Sequence, residues 1–253
     1  TTEFPELMSR MLHKLESVYE YPVDIEFTGN FNIEGKLQVN LLQCRPMRLP
    51  GTTGPVALPA DLPKARVLFR SGRTISGGVV ERIRYLLYID PKRYAAIADA
   101  EVKKTLGRIV GRINEHPAIA GERIVMMGPG RWGSSNIDLG VNVSYADINN
   151  TSVLVEIARE EAGHVPEVSY GTHFFLDLVE ARIIYLPVYP NDPEADFQHA
   201  FFEEAANALT DLLPEAERYA AYVHLIDLPA ATGGRFARLV ADPESQQAVC
   251  YIE

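Results

Sequence analysis

Residues 23–46 read VDIEFTGNFNIEGKLQVNLLQCRP. Two β-rich segments, about 22–28 and 36–45, flank a stretch holding Gly29, Asn30, Asn32 and Gly35, so the spacing predicts a β-hairpin. Side chains alternate across a strand, which puts Asp24 and Glu26 on one face and Ile25 on the other. The same rule groups Gln43 with Arg45 and sets Leu42 and Cys44 opposite them. If the strands pair, one face offers two carboxylates, an amide and a guanidinium, while Val23, Ile25 and Phe27 supply a core. That set suits a magnesium nucleotide. Mg²⁺ takes one or two carboxylates plus phosphate oxygens, and an arginine grips a phosphate with two parallel hydrogen bonds. A solvated, salt-bridged strand face is the plainer reading of the same spacing.

Upstream, Leu7, Met8, Met11, Leu12, Leu15, Val18 and Tyr19 recur at helical spacing, with Pro5 in the tolerated first turn. Downstream, Pro46, Pro50, Gly51, Gly54, Pro55, Pro59 and Pro63 punctuate 46–64 without any period, the signature of a linker. The expected organisation is therefore 1–47, a linker at 48–64, and a second domain at 65–253. In that domain Val67–Phe69, Val79–Val80, Tyr85–Ile89, Arg123–Met127, Ser152–Ile157, Ile183–Val188, Val223–Leu228 and Ala248–Ile252 read as strands. Residues 91–114 read as one or two helices, and Phe197–Leu213 as a single helix stopped by Pro214. The fold class expected is α+β or mixed α/β.

The 253 residues are 47% apolar and 23% charged, which is ordinary globular usage. A net charge of −10 argues against a nucleic-acid partner, which demands a basic face. No apolar run approaches the roughly 20 residues of a membrane helix, so no membrane partner is expected. Cys44 and Cys250 fit no metal spacing and read as reduced thiols; a cytoplasmic location follows. The chain opens with Thr1 directly into a helical pattern, as expected of a piece excised from a longer protein.

The segment 23–46 resembles the end of the ATP-binding domain of the phosphoenolpyruvate synthase and pyruvate phosphate dikinase family. There an Asp-Ile-Glu strand precedes a partner ending Leu-Gln-x-Arg-Pro, and the resemblance covers about residues 4–47. It implies the close of an ATP-grasp module that binds ATP with Mg²⁺. Glu26 would serve the metal–nucleotide site, Gln43 and Arg45 would surround the phosphates, and Asp24 belongs to the same motif. Val67–Gly72 with Ile75–Gly78 faintly resembles the opening of the family's swivelling domain, but no histidine in a Gly-Gly-x-x-x-His-type context follows. The chain also has no room for the family's pyruvate-binding barrel.

Two further clusters carry chemistry. Gly128-Pro-Gly130-Arg131-Trp132-Gly133-Ser134-Ser135-Asn136 follows a short strand; its glycines admit an anion to backbone N–H groups, and Arg131, Ser134 and Ser135 add donors. It lacks the Gly-Lys-Ser/Thr ending of a phosphate-binding P-loop, and a tight turn anchored by Trp132 is the alternative. Ser169-Tyr-Gly-Thr172-His173 delivers Thr172 and His173 to a helix start, where anions are favoured. His173 is the candidate acid–base residue or phosphoacceptor, or simply a capping histidine. Both segments are similar to parts of uncharacterised phosphoenolpyruvate-synthase-like proteins. The remaining histidines have no metal spacing among themselves.

These readings converge on a fragment of an ATP-dependent phosphotransferase (kinase or dikinase-like) that is catalytically incomplete alone. Its partners would be a nucleotide, a small phosphorylated or carboxylate metabolite and the remaining domains of the parent chain. Two alternatives stay open: a non-catalytic regulatory module binding a nucleotide or phosphometabolite, and a structural docking or homodimerisation domain.

Overall fold

The computed structural model describes residues 3–20, 23–46, 56–74, 77–158, 168–169, 172–190 and 196–253. Residues 48–55 of the expected linker, with Met47 before it, Ile75, Ser76, His164, Tyr170, Gly171 and residues 191–195 lie outside them. The chain divides into two compact units, Thr1–Gly51 and Thr52–Glu253.

The first unit is helix α1 (Phe4–Tyr19) and a hairpin of β1 (Val23–Phe31) and β2 (Leu37–Pro46). Asn32 closes the turn, its side-chain oxygen accepting from the N–H groups of Glu34 and Lys36. The antiparallel register pairs Asp24 with Arg45, Glu26 with Gln43, Phe27 with Leu41 and Thr28 with Asn40. The jump from Gln43 to Leu41 marks a bulge at Leu42. Its cause is visible in the sequence. Two successive leucines break the apolar–polar alternation of β2, and one extra residue restores the phase. One face then carries only Asp24, Glu26, Thr28, Asn30, Gln38, Asn40, Gln43 and Arg45. The other carries Val23, Ile25, Phe27, Phe31, Leu37, Val39, Leu41 and Cys44. Helix α1 packs on part of this apolar face, with the Phe4 and Phe27 rings 5.9 Å apart, while Phe31 and Leu41 stay exposed. Its stripe of Leu7, Met8, Met11, Leu12 and Leu15 is half-buried.

The second unit runs β3 (Val67–Ser71), β4 (Gly78–Ile89), α2 (Pro91–Ala95), α3 (Ala100–Asn114), β5 (Arg123–Pro129), β6 (Val153–Ile157), α4 (His173–Glu180) and β7 (Ile184–Val188). It continues through α5 (His199–Glu204), α6 (Leu209–Leu212), β8 (Val223–Asp227), α7 (Leu228–Thr232), β9 (Ala237–Asp242) and β10 (Gln247–Ile252). The eight strands form one mixed sheet, ordered β3-β10-β9-β4-β5-β6-β7, with β8 on β4. Strands β4 to β7 are parallel, and their near-continuous apolar runs are those of strands covered on both faces. The class is mixed α+β with flanking helices.

The sheet curls until its ends meet. The Ser71 hydroxyl donates to the Pro187 carbonyl, 2.6 Å away, across the gap between β3 and β7. One cluster inside the curl draws on every strand, with alternate residues from most, among them Leu86 and Tyr88, Val125 and Met127, Val153 and Val155, Leu186 and Val188, and Leu239 and Ala241. The rings of Tyr88, Phe197 and Phe202 stack into it, with Phe197 and Phe202 4.9 Å apart.

Two expectations are corrected. Val79–Val80 and Tyr85–Ile89 belong to one strand, β4, whose register slips around Arg82, a residue at φ 51°. The single helix over Phe197–Leu213 is two short ones. Asn207 breaks it: its amide nitrogen reaches the carbonyls of Ala220 and Val223, and its oxygen accepts from the N–H groups of Leu209 and Leu225. An asparagine that satisfies four backbone groups at a chain reversal outweighs the helical stripe.

Candidate functional site

In the first unit the hairpin register brings Asp24, Glu26, Gln43 and Arg45 onto one face, in two directly opposed pairs. Gln43 is satisfied when its amide oxygen turns to the Arg45 guanidinium, 2.8 Å from Nη2. Asp24, Gln43 and Arg45 are half-buried and Glu26 is exposed. No three His, Cys, Asp or Glu side chains among the described residues converge into a cage. A nucleotide-bound magnesium needs none, since phosphates and water complete its shell around one or two carboxylates. Two carboxylates, a guanidinium and an amide on one face are groups of the kind that engage phosphates and hard cations.

In the second unit, the two glycine-containing clusters meet at a residue the sequence reading passed over. Glu156 lies in β6 with no exposed surface. One carboxylate oxygen accepts from the Trp132 N–H at 2.9 Å and the Ser169 hydroxyl at 2.5 Å; the other accepts from the Ser169 N–H at 2.7 Å and the Tyr185 hydroxyl. Trp132 belongs to the Gly128–Asn136 loop and Ser169 to the segment before α4, so one carboxylate ties both together. Burial raises its pKa to about 6, and the four donors pull against that rise. The contact extends outward. A Cβ on Gly133 would sit 2.6 Å from the Phe174 ring, so only glycine lets the loop lie against the start of α4.

The loop is closely fastened. Gly130, Arg131 and Gly133 donate their N–H groups to the carbonyls of Ile157, Leu139 and Val141. The N–H of Asn136 goes to the Ser134 hydroxyl, and the Asn142 amide donates to the Ser134 carbonyl at 2.7 Å. From below, the Tyr94 hydroxyl lies 2.7 Å from the Gly140 carbonyl, and Lys103 pairs with Asp138 at 2.7 Å. Gly128 is the buried end of β5, where a Cβ would meet the Trp132 ring at 2.7 Å. The backbone N–H groups of Gly130, Arg131, Trp132, Gly133 and Asn136 are thus spent on the fold's own architecture. Recognition would fall to side chains: half-buried Arg131 and Ser134, and exposed Ser135.

Thr172 caps α4. Its hydroxyl donates to the Ser169 carbonyl at 2.8 Å and accepts from the Phe175 N–H at 3.2 Å. His173 occupies the first helical position and is exposed. Glu156 had one sequence signal, a lone carboxylate inside the apolar run Val153-Leu-Val-Glu-Ile157. Ser169 stood at the head of the Ser169–His173 cluster with nothing to pair it with Glu156, and Tyr185 had no signal. No helix among the described residues is long and apolar enough to cross a membrane. No family model matches the chain, and no curated protein or solved structure does so either.

Proposed function

We propose that this chain is part of a phosphoenolpyruvate-synthase-like phosphotransferase, in which residues 1–47 form the closing edge of an ATP-grasp nucleotide site. The observation that supports the reading is the hairpin register, which presents Asp24, Glu26, Gln43 and Arg45 together on a wholly polar face. In this role Glu26 holds the magnesium that neutralises the phosphates, with Asp24 beside it. Arg45 clamps a phosphate oxygen pair, and Gln43 orients the guanidinium. Such a wall supplies charge neutralisation and positioning, which is most of what phosphoryl transfer asks of a protein. The test is ATP titration of the full-length protein with and without magnesium. Arg45→Met removes charge-assisted hydrogen bonds of about 1.5–3 kcal/mol, and weakens binding by roughly 10- to 150-fold. Glu26→Gln removes the magnesium dependence. Unchanged affinity in both variants rejects the assignment.

The junction at Glu156 favours a second reading for the larger unit, a regulatory site for a small phosphorylated or carboxylate metabolite. It holds the loop of Arg131, Ser134 and Ser135 against the start of α4, where Thr172 and His173 lie. Incubation with γ-labelled ATP followed by peptide mass spectrometry separates the two. Label on His173 supports a transferase; saturable binding of phosphate esters without label supports a sensor.

A further inference from the structure

Among the described residues four non-glycines hold φ in the left-handed region. Glu20 and Arg182 follow helices α1 and α4, and Gln246 lies in the turn between β9 and β10, places where that conformation is ordinary. Arg82 alone stands inside a strand, at φ 51°, where the register of β4 against β9 slips. Glycine adopts this conformation without steric cost and arginine does not. The bulge therefore forms in spite of the arginine side chain, not because of it.

That side chain is presented to solvent. Its guanidinium lies 4.3 Å over the Phe236 ring, and the residue is exposed. Stacking occupies a face of the guanidinium plane and leaves its N–H edges open. A stacked guanidinium is also partly ordered before any acceptor arrives, which lowers the entropy cost of binding.

The surroundings are basic. Ile83 pairs with Ala237 of β9 on one side and with Arg123 of β5 on the other. Neighbouring strands lie about 4.8 Å apart, so Arg82, Arg84, Arg123, Arg235 and Arg238 come from one level of three adjacent strands. Arg84 holds Glu122 at 3.0 Å and Asp227 at 3.3 Å, and Arg238 holds Glu81 at 3.1 Å and Glu253 at 3.3 Å. Two arginines thus take these four carboxylates. Arg82, Arg123 and Arg235 are exposed and form no ion pair among the described residues. Apolar surface adjoins them: Val79 of β4 is 41% exposed, and Phe236 and Tyr251 are half-buried.

We propose that this level of the sheet is a docking surface for an acidic protein segment with interspersed apolar residues, and that Arg82 anchors it. Charge complementarity selects the acidic partner, because three guanidinium groups are left without a carboxylate. The exposed Val79 and the Phe236 ring select a partner that brings apolar side chains as well, which a free phosphate does not.

The inference is independent of the nucleotide reading and is tested on the whole chain without nucleotide. The probe is a short fluorescent peptide of glutamates interspersed with leucines, titrated by anisotropy. Binding should be saturable and should weaken as salt rises. Arg82→Gly should weaken it about fivefold, while the urea midpoint holds or rises. Arg82→Gln, Arg123→Gln and Arg235→Gln together should abolish it. Arg112→Gln, which removes an arginine of α3 paired with Glu215, should leave it unchanged. Absence of saturable binding, an affinity untouched by Arg82→Gly, or one lost equally in Arg112→Gln overturns the proposal. A urea midpoint that falls in Arg82→Gly overturns it too, since the side chain would then support the fold. Inorganic polyphosphate that binds where the peptide does not marks a phosphate site and overturns it equally.

Discussion

Replacing Gly107 by alanine should destabilise the protein although it improves the helix. Gly107 sits in the middle of α3, where glycine costs about 1 kcal/mol relative to alanine. By propensity alone the substitution is therefore stabilising. A Cβ at this position would lie 2.0 Å from the Asn142 carbonyl oxygen, against roughly 3.3 Å for the closest ordinary carbon–oxygen approach. The obstructing atom is backbone, so no rotamer change relieves it, and helix and loop must separate by more than about 1 Å. Forced overpacking of this kind costs roughly 1–3 kcal/mol and sometimes more. A backbone clash belongs at the upper end, which leaves a net loss of about 1–2 kcal/mol after the helix gain. In a unit of this size that lowers Tm by roughly 2–8 °C. The displaced loop also carries the Asn142 side chain that holds the Ser134 carbonyl, so the change should reach the candidate site. Urea unfolding read by the buried Trp132 measures the loss. A Gly107→Ala protein as stable as the parent, or more so, refutes the close approach of α3 to Asn142.

Gly111→Ala provides a contrast in the same helix. Its Cβ would meet the Asp147 side chain at 2.5 Å, so trimming Asp147 to alanine should recover part of the loss, as no side-chain change can at Gly107; a double-mutant cycle in urea checks this. Thr172→Ala removes the cap of α4 and should cost about 1 kcal/mol, read as a lower denaturation midpoint. Glu156 should make stability depend on pH. Its folded pKa, about 6, exceeds the ordinary 4.5. Its stabilising contribution is therefore complete below 4.5 and is lost as pH rises through 6, by about 2 kcal/mol in all. The difference in unfolding free energy between the parent and Glu156→Gln, compared at pH 5 and pH 7.5, isolates that contribution from other carboxylates. A difference independent of pH would contradict the raised pKa.

The elements whose side-chain period was unbroken could be read in advance. The hairpin, α1, α3 and the parallel strands β5 to β7 all stand where their apolar patterns placed them. Reading failed where one polar side chain answers to distant backbone. Asn207 divides an otherwise regular helical stripe because its partners, Ala220, Val223 and Leu225, lie beyond the reversal it creates. Strand β9 escaped notice because Ala237–Asp242 places Arg238 between short apolar neighbours. At the candidate sites, alternation was enough to group Asp24, Glu26, Gln43 and Arg45. It could not bring Glu156, Trp132 and Ser169 together, because that junction depends on how β6 stacks beside β5 and β7. Glycines that suggested an anion cradle serve instead to let Trp132, Leu139 and Phe174 approach the backbone.

The seam of the curled sheet gives the larger unit a mechanical direction. Between most neighbouring strands, a load is shared by ladders of backbone bonds. Between β3 and β7, which end the hydrogen-bonded path, the described direct bond is that from the Ser71 hydroxyl to the Pro187 carbonyl, beside a short pairing of β3 with Asp196–Gln198. Proline has no N–H to offer a ladder, so the edge at Pro187 is poorly suited to a full set of rungs. A pull exerted between Val67 and Val188 would therefore part the wall along this line first, leaving the remaining strands as an open sheet. The fold has, in effect, a built-in fastening that can be undone without tearing the fabric on either side.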